Sequence, residues 1–382
     1  MGELPAATVS GAPIEFVVPG GIDDPTHPSG GNRYDRRVIE ALSATRRVVR
    51  EHPVGGPADL SDLLAELPDE AVVVVDGLVG SAAPGVLVPA SDRLCVVVLL
   101  HMPFAEASPE ESVRQAERAT LEAASAVVTT SSWARAWVLR HHGLSPERVR
   151  VATPGVDPAP AARAFPPGGR FICLAAVTQN KGQDILLAAL ARLTDLDWFL
   201  TCVGALDLEP DFVSGLTELA ERTGLADRVD LAGPLSGNAL DILLSSTDLL
   251  VSASHRESYG MAVTEALARA VPVVVTDVGG HHEAVGHGAL RHPPGHPASH
   301  SRCRSAGVLV PPADPDRLAS ALRSWLTDRE ERRRLRAAAA NRRTTLGTWA
   351  DTAHALAVAV DAAAANPMTN RHRSPDTTPA GR

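Results

Sequence analysis

The sequence predicts an α/β protein built from two doubly wound domains. Apolar runs typical of buried strands alternate with helix-period segments from residue 14 to residue 152, and the same alternation restarts at residue 171. Between the two series lie residues 153–169, which are rich in Pro, Gly and Ala and are typical of a connection. The 382 residues are enough for two domains of ordinary size, which we place at residues 1–157 and 158–344.

The first half contains five predicted strands and two predicted helices. Each strand is a short run rich in Val, Ile or Leu, and each helix carries apolar residues at helical spacing. The strands are predicted at residues 14–18, 71–75, 94–100, 126–129 and 149–152, and the helices at residues 32–50 and 110–124.

The second half continues the alternation and ends in three helices. Predicted strands lie at residues 171–176, 198–203, 229–231, 248–254, 273–278 and 307–310. Predicted helices lie at residues 184–193, 212–222, 260–270, 315–326, 329–343 and 348–365. Residues 367–382 are rich in Pro, Thr, Ser and Arg, which predicts a disordered tail.

The composition excludes several classes of binding protein. The net charge of −9 argues against general binding to nucleic acid or to anionic membranes. Aromatic residues make up only 3% of the chain, which disfavours a surface on which nucleic-acid bases stack. We therefore expect small-molecule substrates and no nucleic-acid partner, and the sequence leaves the oligomeric state open.

No segment of the sequence predicts export or membrane insertion. Residues 1–13 lack a basic region followed by an apolar core, and the longest apolar run, residues 94–100, is too short to span a bilayer. The cysteines show no spacing of metal ligands and are expected to be free thiols in a reducing cytosol; they are Cys95, Cys173, Cys202 and Cys303. These features predict a cytoplasmic protein, and nothing in them indicates membrane association.

One β-α-β unit in the second half has the form of a ligand site. A predicted strand, a predicted helix and a second strand follow one another between residues 248 and 278. Ligands of such units bind beyond the carboxyl ends of the strands, where the loops that carry Glu257 and Gly279-Gly280 must lie. Glu265 is only about 7.5 Å along the helix axis from Gly260, so it belongs to the same rim.

The residues of this unit resemble a known family. Glu257-Ser258-Tyr259-Gly260-Met261 is followed by Glu265-Ala266-Leu267-Ala268, then by Pro272, and after an apolar strand by Gly279-Gly280 and Glu283. This pattern is similar to that of the retaining glycosyltransferases of family 4, the glycosyl transferases group 1, which have the GT-B fold. The resemblance extends over residues 14–365 and is strongest over residues 171–286.

The resemblance implies two Rossmann-like domains that face a cleft. The N-terminal domain is expected on the acceptor side, with loops at residues 21–30 and 77–90 that contact the acceptor. The C-terminal domain is expected to bind the nucleotide-sugar donor. The helix at residues 345–366 is expected to cross back onto the first domain.

By this resemblance the two glutamates of the unit bind the donor. Glu265 is expected to bind the ribose, and Glu257 is expected to reach the hydroxyls of the donor sugar. A carboxylate can accept hydrogen bonds from two vicinal hydroxyls, each worth about 1.5–3 kcal/mol. Backbone N–H groups at the helix start are expected to face the diphosphate and the sugar. This donor-binding segment consists of Ser258, Tyr259, Gly260 and Met261, and the simpler alternative is that both glutamates are only solvated.

Lys181 is the only lysine in the chain. It lies between the strand at residues 171–176 and the helix at residues 184–193, where an ammonium group can meet a phosphate as a compact charge. The family places a phosphate-binding lysine before a glycine here, and Gly182 follows Lys181 in this chain. The alternative is an ordinary lysine of a surface loop.

The chain departs from the family pattern a few residues before Lys181. An arginine is common there in the family, whereas this chain has Ala175, Ala176 and Val177. The diphosphate therefore has one fewer obvious cation. Arg256, beside Glu257, is the substitute that the sequence offers as a phosphate contact.

Two elements of the first half are expected to face the donor from the other side of the cleft. Gly30-Gly31 resembles the family's glycine loop, in which the backbone approaches the donor phosphates and sugar; a turn with a helix cap is the alternative. His101 follows the strand at residues 94–100, at the place of the family's active-site histidine. It is expected to contact the donor sugar or the acceptor and to help position the reacting hydroxyl.

Two further patterns are interpreted as structural. His281, His282, the later histidines up to His300, and Cys303 match no closed zinc-site spacing, and the role of the insertion at residues 287–305 is left open. Asp314-Pro315-Asp316 resembles a metal-binding Asp-x-Asp, but a proline at the first helical position predicts that Asp314 is a helix N-cap. We therefore predict no metal and no cofactor other than the donor substrate.

The sequence thus predicts a metal-independent glycosyltransferase. By resemblance it moves a sugar from a nucleotide-diphosphate donor to an acceptor hydroxyl with retention at the anomeric carbon, and its catalytic residues are His101, Glu257 and Lys181. Two alternatives stay open. One is another GT-B activity, such as a sugar-phosphate synthase or a phosphorylase, and the other is a non-catalytic subunit that binds a nucleotide sugar. The nucleotide, the sugar and the acceptor are not defined by the sequence.

Overall fold

The computed structural model describes residues 13–108, 110–166, 168–286 and 305–365. It contains two six-stranded sheets, one in each half of the chain, and the paired strands run parallel. Helices connect successive strands and cover the sheets. The predicted fold class, two doubly wound α/β units, is confirmed.

The first sheet has the strand order β2-β1-β3-β4-β5-β6. Its strands are β1 Ile14–Pro19, β2 Val49–Val54, β3 Val72–Asp76, β4 Cys95–Leu100, β5 Ala126–Thr129 and β6 Val149–Val151. Every residue of β3, β4 and β5 is buried. Helices cover both faces of a parallel sheet, so its central strands are continuous apolar runs, and this is why the sequence predicted them.

Seven helices accompany the first sheet in the described residues. They are α1 Gly30–Ala44, α2 Pro57–Glu66, α3 Gly77–Ala82, α4 Pro84–Ala90, α5 Phe104–Ala107, α6 Glu111–Ala123 and α7 Ser132–His142. The sequence predicted α1 and α6 but not the other five.

The predicted helix at residues 32–50 is wrong at its carboxyl end. Helix α1 ends at Ala44, where the N–H of Thr45 donates to the carbonyl of Leu42. Arg46 then adopts a φ of 65°, and this left-handed conformation turns the chain into strand β2. Because β2 is a half-exposed edge strand that contains Pro53, it lacks the apolar run that identifies a central strand.

The segment at residues 77–90 is not the loop that the sequence predicted. It forms helices α3 and α4, which follow β3 directly. The carboxylate of Asp76 caps α3 by accepting hydrogen bonds from the backbone N–H groups of Leu78, at 2.5 Å, and Val79, at 3.4 Å. The sequence feature that indicates α3 is Asp76, which ends a strand and caps the helix that follows.

The second sheet has the strand order β12-β11-β10-β7-β8-β9. Its strands are β7 Arg170–Leu174, β8 Phe199–Val203, β9 Val229–Gly233, β10 Leu249–Ser252, β11 Val273–Thr276 and β12 Gly307–Val310. Its helices are α8 Gln183–Leu190, α9 Pro210–Arg222, α10 Gly237–Ser245, α11 Met261–Ala268, α12 His281–Val285, α13 Pro315–Thr327 and α14 Arg329–Arg343. The sequence predicted all of these elements except α10 and α12.

The last described helix, α15 Trp349–Ala365, packs on the first half of the chain. Trp349 and Leu356 share a buried apolar cluster with Phe16 and Tyr34, and α15 lies against α1. Among the described residues, α15 included, no helix combines the length and the hydropathy needed to cross a membrane.

In each sheet the strand order reverses beside the first strand of that half. Strand β1 lies between β2 and β3, and β7 lies between β8 and β10. Ligands of open parallel sheets bind outside the carboxyl ends of the strands at such a reversal. The segments that follow β1, β7 and β10 lead to Gly30, Lys181 and Glu257, so the topology directs these three residues to the same kind of crevice.

Candidate active site

A cleft of about 1360 Å³ is lined by residues of both halves of the chain. This volume exceeds the roughly 300–1,000 Å³ of a typical pocket for one small molecule, so it has room for two substrates. The predicted site residues that line it are Gly30, Gly31, His101, Lys181, Ser258, Tyr259, Gly260, Met261, Glu257 and Glu265.

Lys181 and Glu257 form an ion pair inside the cleft. Lys181 ends a short 3-10 turn after β7, and its Nζ lies 2.8 Å from Glu257 Oε2. Burial would raise the pKa of Glu257, but the charge of Lys181 and the hydrogen bond from its ammonium group outweigh burial and lower the pKa below its usual value. Glu257 is therefore a carboxylate at neutral pH, held in place by the ammonium group.

The loop that carries Glu257 depends on Gly260. Gly260 has a φ of 101°, a conformation that favours glycine, and it immediately precedes the first residue of α11. A Cβ at this position would lie 2.8 Å from Cδ2 of His281. Gly260 therefore lets the start of α11 and the buried ring of His281 approach each other at the wall of the cleft.

Glu265 is bonded to an arginine of the first domain. Its Oε2 accepts a hydrogen bond from Arg33 Nη1 at 2.6 Å, and its Oε1 lies 3.7 Å from Arg269 Nη1. Arg33 also donates to Asp157 at 3.3 Å, in the connection between the two halves. The sequence did not identify Arg33, because an arginine in the first turn of α1 cannot be linked to α11 before the two halves are placed.

Gly30 and Gly31 form the first turn of α1. The hydroxyl of Ser29 caps the helix by accepting a hydrogen bond from the N–H of Asn32 at 3.0 Å. A Cβ on Gly31 would lie 3.3 Å from Cδ2 of His101, so the missing side chain lets the imidazole contact the helix. The two glycines thus belong to a capped helix start and also line the cleft.

His101 lies between two buried aspartates. Its Nε2 is 2.8 Å from Asp35 Oδ1 and 3.2 Å from Asp76 Oδ2. The ring of Tyr34 packs edge-on against it, with the centroids 5.0 Å apart. The sequence did not identify Asp35 or Asp76, which reach His101 from α1 and from the end of β3.

The two aspartates keep His101 protonated. Burial opposes the charge, but the carboxylates of Asp35 and Asp76 outweigh burial and raise the pKa of His101 to about 10. Burial raises the pKa of Asp35 to about 7 despite the imidazole, whereas the bonds with His101 lower the pKa of Asp76 against the effect of burial. At neutral pH His101 is therefore a hydrogen-bond donor and a positive charge, not a base.

Among the described residues, one group has potential ligand atoms close enough together to hold a metal ion, and it consists of His101 and its two aspartates. These atoms, from Asp35, Asp76 and His101, all lie within 4.8 Å of one another. However, Nε2 of His101 faces both carboxylates, and Asp76 also accepts from the N–H of Leu78. A metal ion would have to displace the proton that joins His101 to the aspartates.

Two other predicted features have clear positions. Arg256 is not among the residues that line the cleft, and its Nε lies 3.4 Å from Glu106 Oε2 of the first half. The prediction for Asp314 is confirmed, because its carboxylate accepts from the N–H of Arg317 at 2.9 Å and caps α13. The histidines from His287 to His300 and Cys303 lie outside the described residues.

Two family models match the chain. The model described as "Glycosyl transferases group 1" matches residues 163–342, and the model described as "Glycosyltransferase Family 4" matches residues 15–160. The first match contains the loop and helix of Glu257 and Glu265, and the second contains Gly30 and His101.

Curated relatives are similar to about two thirds of the chain. D-inositol 3-phosphate glycosyltransferase 1 of Catenulispora acidiphila is 30% identical over 290 residues, which is 69% of this chain and 64% of that protein. D-inositol 3-phosphate glycosyltransferase of Geodermatophilus obscurus is 31% identical over 280 residues, which is 67% of this chain and 56% of that protein. The matches thus span less than two thirds of the length of these relatives.

Solved structures share the whole fold at low identity. Sucrose-phosphate synthase (tll1590) from Thermosynechococcus elongatus has a TM-score of 0.73 and 22% identity, and the match covers 91% of this chain and 98% of that one. Anabaena Alr3699/HepE in complex with UDP-glucose has a TM-score of 0.72 and 18% identity, with 92% and 99% covered. The two family models together match residues 15–160 and 163–342 and the fold matches GT-B structures, so the chain belongs to the glycosyl transferases group 1 family and has the GT-B fold.

Proposed function

We propose that this protein is a retaining glycosyltransferase that uses a nucleotide-diphosphate sugar and needs no metal ion. The observation that carries the proposal is the cleft itself, in which His101 of the first domain faces Lys181, Glu257 and Glu265 of the second. Neither half of the chain carries the complete set. This division favours a transferase over a subunit that only binds a nucleotide, since binding alone does not need a charged histidine on the opposite wall.

In the proposed reaction the donor lies along the second domain. Lys181 neutralises a phosphate oxygen, Glu265 accepts hydrogen bonds from the ribose, and Glu257 accepts them from the sugar hydroxyls. The bond between the anomeric carbon and the phosphate oxygen breaks, and the bond to the acceptor oxygen forms on the same face. The proton of the acceptor hydroxyl passes to the leaving phosphate, so the nucleoside diphosphate is released with the charge that Lys181 stabilises.

His101 acts in this proposal as a fixed cation. Its Nε2 is held by Asp35 and Asp76, while Nδ1 has no hydrogen-bond partner among the described residues. Nδ1 is therefore the atom that we assign to the donor sugar or the acceptor. A preorganised donor of this kind stabilises negative charge as it develops, because it does not have to reorient during the reaction.

We propose that no metal ion is required, because Lys181 and His101 already present charged hydrogen-bond donors to the substrates from opposite walls of the cleft. Transfer should therefore proceed at the same rate in the presence of a chelator such as EDTA. A rate that depends on an added divalent cation would contradict this part of the proposal.

The proposed location is the cytoplasm. The described cysteines, Cys95, Cys173 and Cys202, are free and buried, which is usual in a reducing compartment.

A panel of donors and acceptors tests the proposed function. Release of nucleoside diphosphate is measured with several nucleotide sugars, UDP-glucose among them because it is named in the related Anabaena structure. The acceptors include D-inositol 3-phosphate, which the relatives' names suggest, and myo-inositol. Transfer to an acceptor with the anomeric configuration retained supports the proposal. Binding of nucleotide sugar without any release favours the non-catalytic alternative.

Replacement of Lys181 by Ala should weaken the binding of nucleoside diphosphate about thirtyfold, which is roughly 2 kcal/mol. The variant loses a positive charge at the phosphate and leaves the carboxylate of Glu257 unpaired, so the cleft repels the ligand. Isothermal titration calorimetry measures the change. A double variant, Lys181→Ala with Glu257→Gln, is the matched control, and it should bind more tightly than Lys181→Ala alone. An unchanged affinity of Lys181→Ala would remove Lys181 from the phosphate site.

A further inference from the structure

One buried histidine of the second domain has an unpaired ring nitrogen at the wall of the cleft. His281 begins α12, is 0% exposed, and is among the residues that line the cleft. Its Nδ1 lies 2.8 Å from the carbonyl oxygen of Thr276, so Nδ1 carries a proton and donates it. Its Nε2 has no hydrogen-bond partner among the described residues. A buried polar atom without a partner is rare in folded proteins, and beside a ligand site it indicates a group that the ligand completes.

The unpaired nitrogen lies at the start of α11. A Cβ on Gly260 would be 3.3 Å from Nε2 of His281, so the missing side chain brings this nitrogen next to the backbone at the helix start. The backbone N–H groups at a helix start attract anions, and α11 is long enough for this effect. His281 Nε2 therefore adjoins the position at which the proposed donor places its diphosphate and sugar.

The basic side chains at this wall of the cleft leave the negative charge of a bound diphosphate without one balancing cation. Lys181 is paired with Glu257, so the two together bring no net charge to a diphosphate. Ala175 and Ala176 line the cleft near the end of β7 and carry no charge. Among the described residues of the second domain that line the cleft, the other basic side chain is Arg269, which bonds to Asp241 and lies beside Glu265.

We propose that Nε2 of His281 binds the diphosphate of the donor, and that the ring takes up one proton when the donor binds. This inference rests on the proposed function. In the free protein, Nε2 is unprotonated, and its lone pair would repel a phosphate oxygen. The proton comes from the buffer, and the resulting imidazolium donates from Nδ1 to Thr276 and from Nε2 to the phosphate.

The charged groups around the ring support this order of events. Burial lowers the pKa of His281, and the charges of Lys181 and His282 lower it further, while Glu257 and the hydrogen bond to Thr276 act in the opposite direction. The free ring is therefore neutral at neutral pH. A bound diphosphate adds negative charge beside Nε2 and raises the pKa, so that binding and protonation favour each other.

Proton uptake is measured by calorimetry in buffers of different ionisation enthalpy. The probe is UDP-glucose, or the nucleotide sugar that the donor panel selects, because its diphosphate does not titrate near neutral pH. At pH 7.5 the observed enthalpy should depend on the buffer with a slope close to one proton taken up per ligand. The slope should diminish as the pH falls and the free ring becomes protonated before binding.

Variants assign the proton to His281. His281→Gln should abolish most of the uptake and weaken binding about tenfold. His282→Gln removes only the smallest of the influences on the pKa of His281, so it should keep most of the uptake and nearly the wild-type affinity. His282 is the matched control because it is the next residue, is exposed, and does not line the cleft. Melting curves by circular dichroism show whether each variant is folded.

Uptake that disappears in His281→Gln and persists in His282→Gln supports the proposal. Binding of the donor by the wild-type protein without uptake, or uptake that persists in His281→Gln, overturns the role of His281 and leaves the proposed function intact. Binding without proton uptake is also the result expected if a sugar hydroxyl donates a hydrogen bond to the neutral Nε2. Failure to bind any nucleotide sugar overturns the proposed function and this inference together.

Discussion

Replacement of His101 by Ala should lower turnover about 100-fold or more, with the affinity for nucleoside diphosphate kept within about threefold. The reason is the position of the side chain. His101 is bonded to Asp35 and Asp76 of the first domain, while the side chains proposed to bind the phosphate and the ribose, Lys181 and Glu265, belong to the second. Steady-state kinetics give the turnover number, and calorimetry gives the affinity. His354→Ala, on the exposed side of α15, is the matched control and should resemble the wild type.

The pH dependence of the rate shows whether His101 acts as a fixed cation or as a general base. The pKa of His101 is raised from 6.5 to about 10, because Asp35 and Asp76 outweigh the effect of burial. The rate of the wild-type protein should therefore show no rising limb near pH 6.5. The stabilisation that protonated His101 contributes to the fold should be fully present below its unfolded pKa of 6.5 and should be lost as the pH rises through about 10, as the sign of the shift requires. Urea unfolding at several pH values measures this loss.

A rate limb near neutral pH that depends on His101 would show that the imidazole is neutral during the reaction. Fully active His101→Ala would remove the first domain from the chemistry altogether. Asp35→Asn provides a milder test, because the amide keeps the shape and loses the charge. It should lower the pKa of His101 towards its ordinary value and lower turnover less than His101→Ala does.

The sequence predicted the parts of the fold that have a strong apolar pattern. Strands β3 and β4 are buried along their whole length, so their residues form continuous apolar runs. Strand β2 is half exposed, contains Pro53 and lies at the edge of the sheet, and its residues resemble those of a helix end. Helices α3 and α4 are too short for a helical period to show. The failures at β2, α3 and α4 therefore follow from exposure and length.

The candidate site was predictable to the extent that it depends on strand ends. Lys181 follows β7 and Glu257 follows β10, and these strands are neighbours, so their contact at 2.8 Å agrees with the topology. The partners of His101 and Glu265 depend instead on how α1 packs. Asp35 and Arg33 are next to Tyr34 on α1 and face different partners, one inside the first domain and one across the cleft. No local pattern in the sequence specifies that arrangement.

Substitution of Glu257 should have a large effect on the turnover number, whereas substitution of Glu265 should act on the Michaelis constant. Glu257→Gln should lower the turnover number about 100-fold, because Glu257 is assigned to the sugar, where charge develops in the transition state. Its affinity for nucleoside diphosphate should not fall, since the substitution leaves the positive charge of Lys181 unopposed. Glu265→Gln should instead raise the Michaelis constant for the donor about tenfold at a similar turnover number, because a ribose contact is made equally in the ground and transition states.

The contact between Arg33 and Glu265 requires its own control in this experiment. Glu265→Gln removes the ribose acceptor and also weakens the 2.6 Å bond across the cleft, and either loss could raise the Michaelis constant. Arg33→Gln removes only the bond and leaves the carboxylate free for the ribose. If the ribose contact is the cause, Arg33→Gln should bind the donor at least as well as the wild type, because the carboxylate no longer has to share its oxygen with a guanidinium. Equal losses of donor affinity in Arg33→Gln and Glu265→Gln would instead assign Glu265 to holding the two domains together, and the reverse pattern of turnover and Michaelis constant would exchange the roles of the two glutamates.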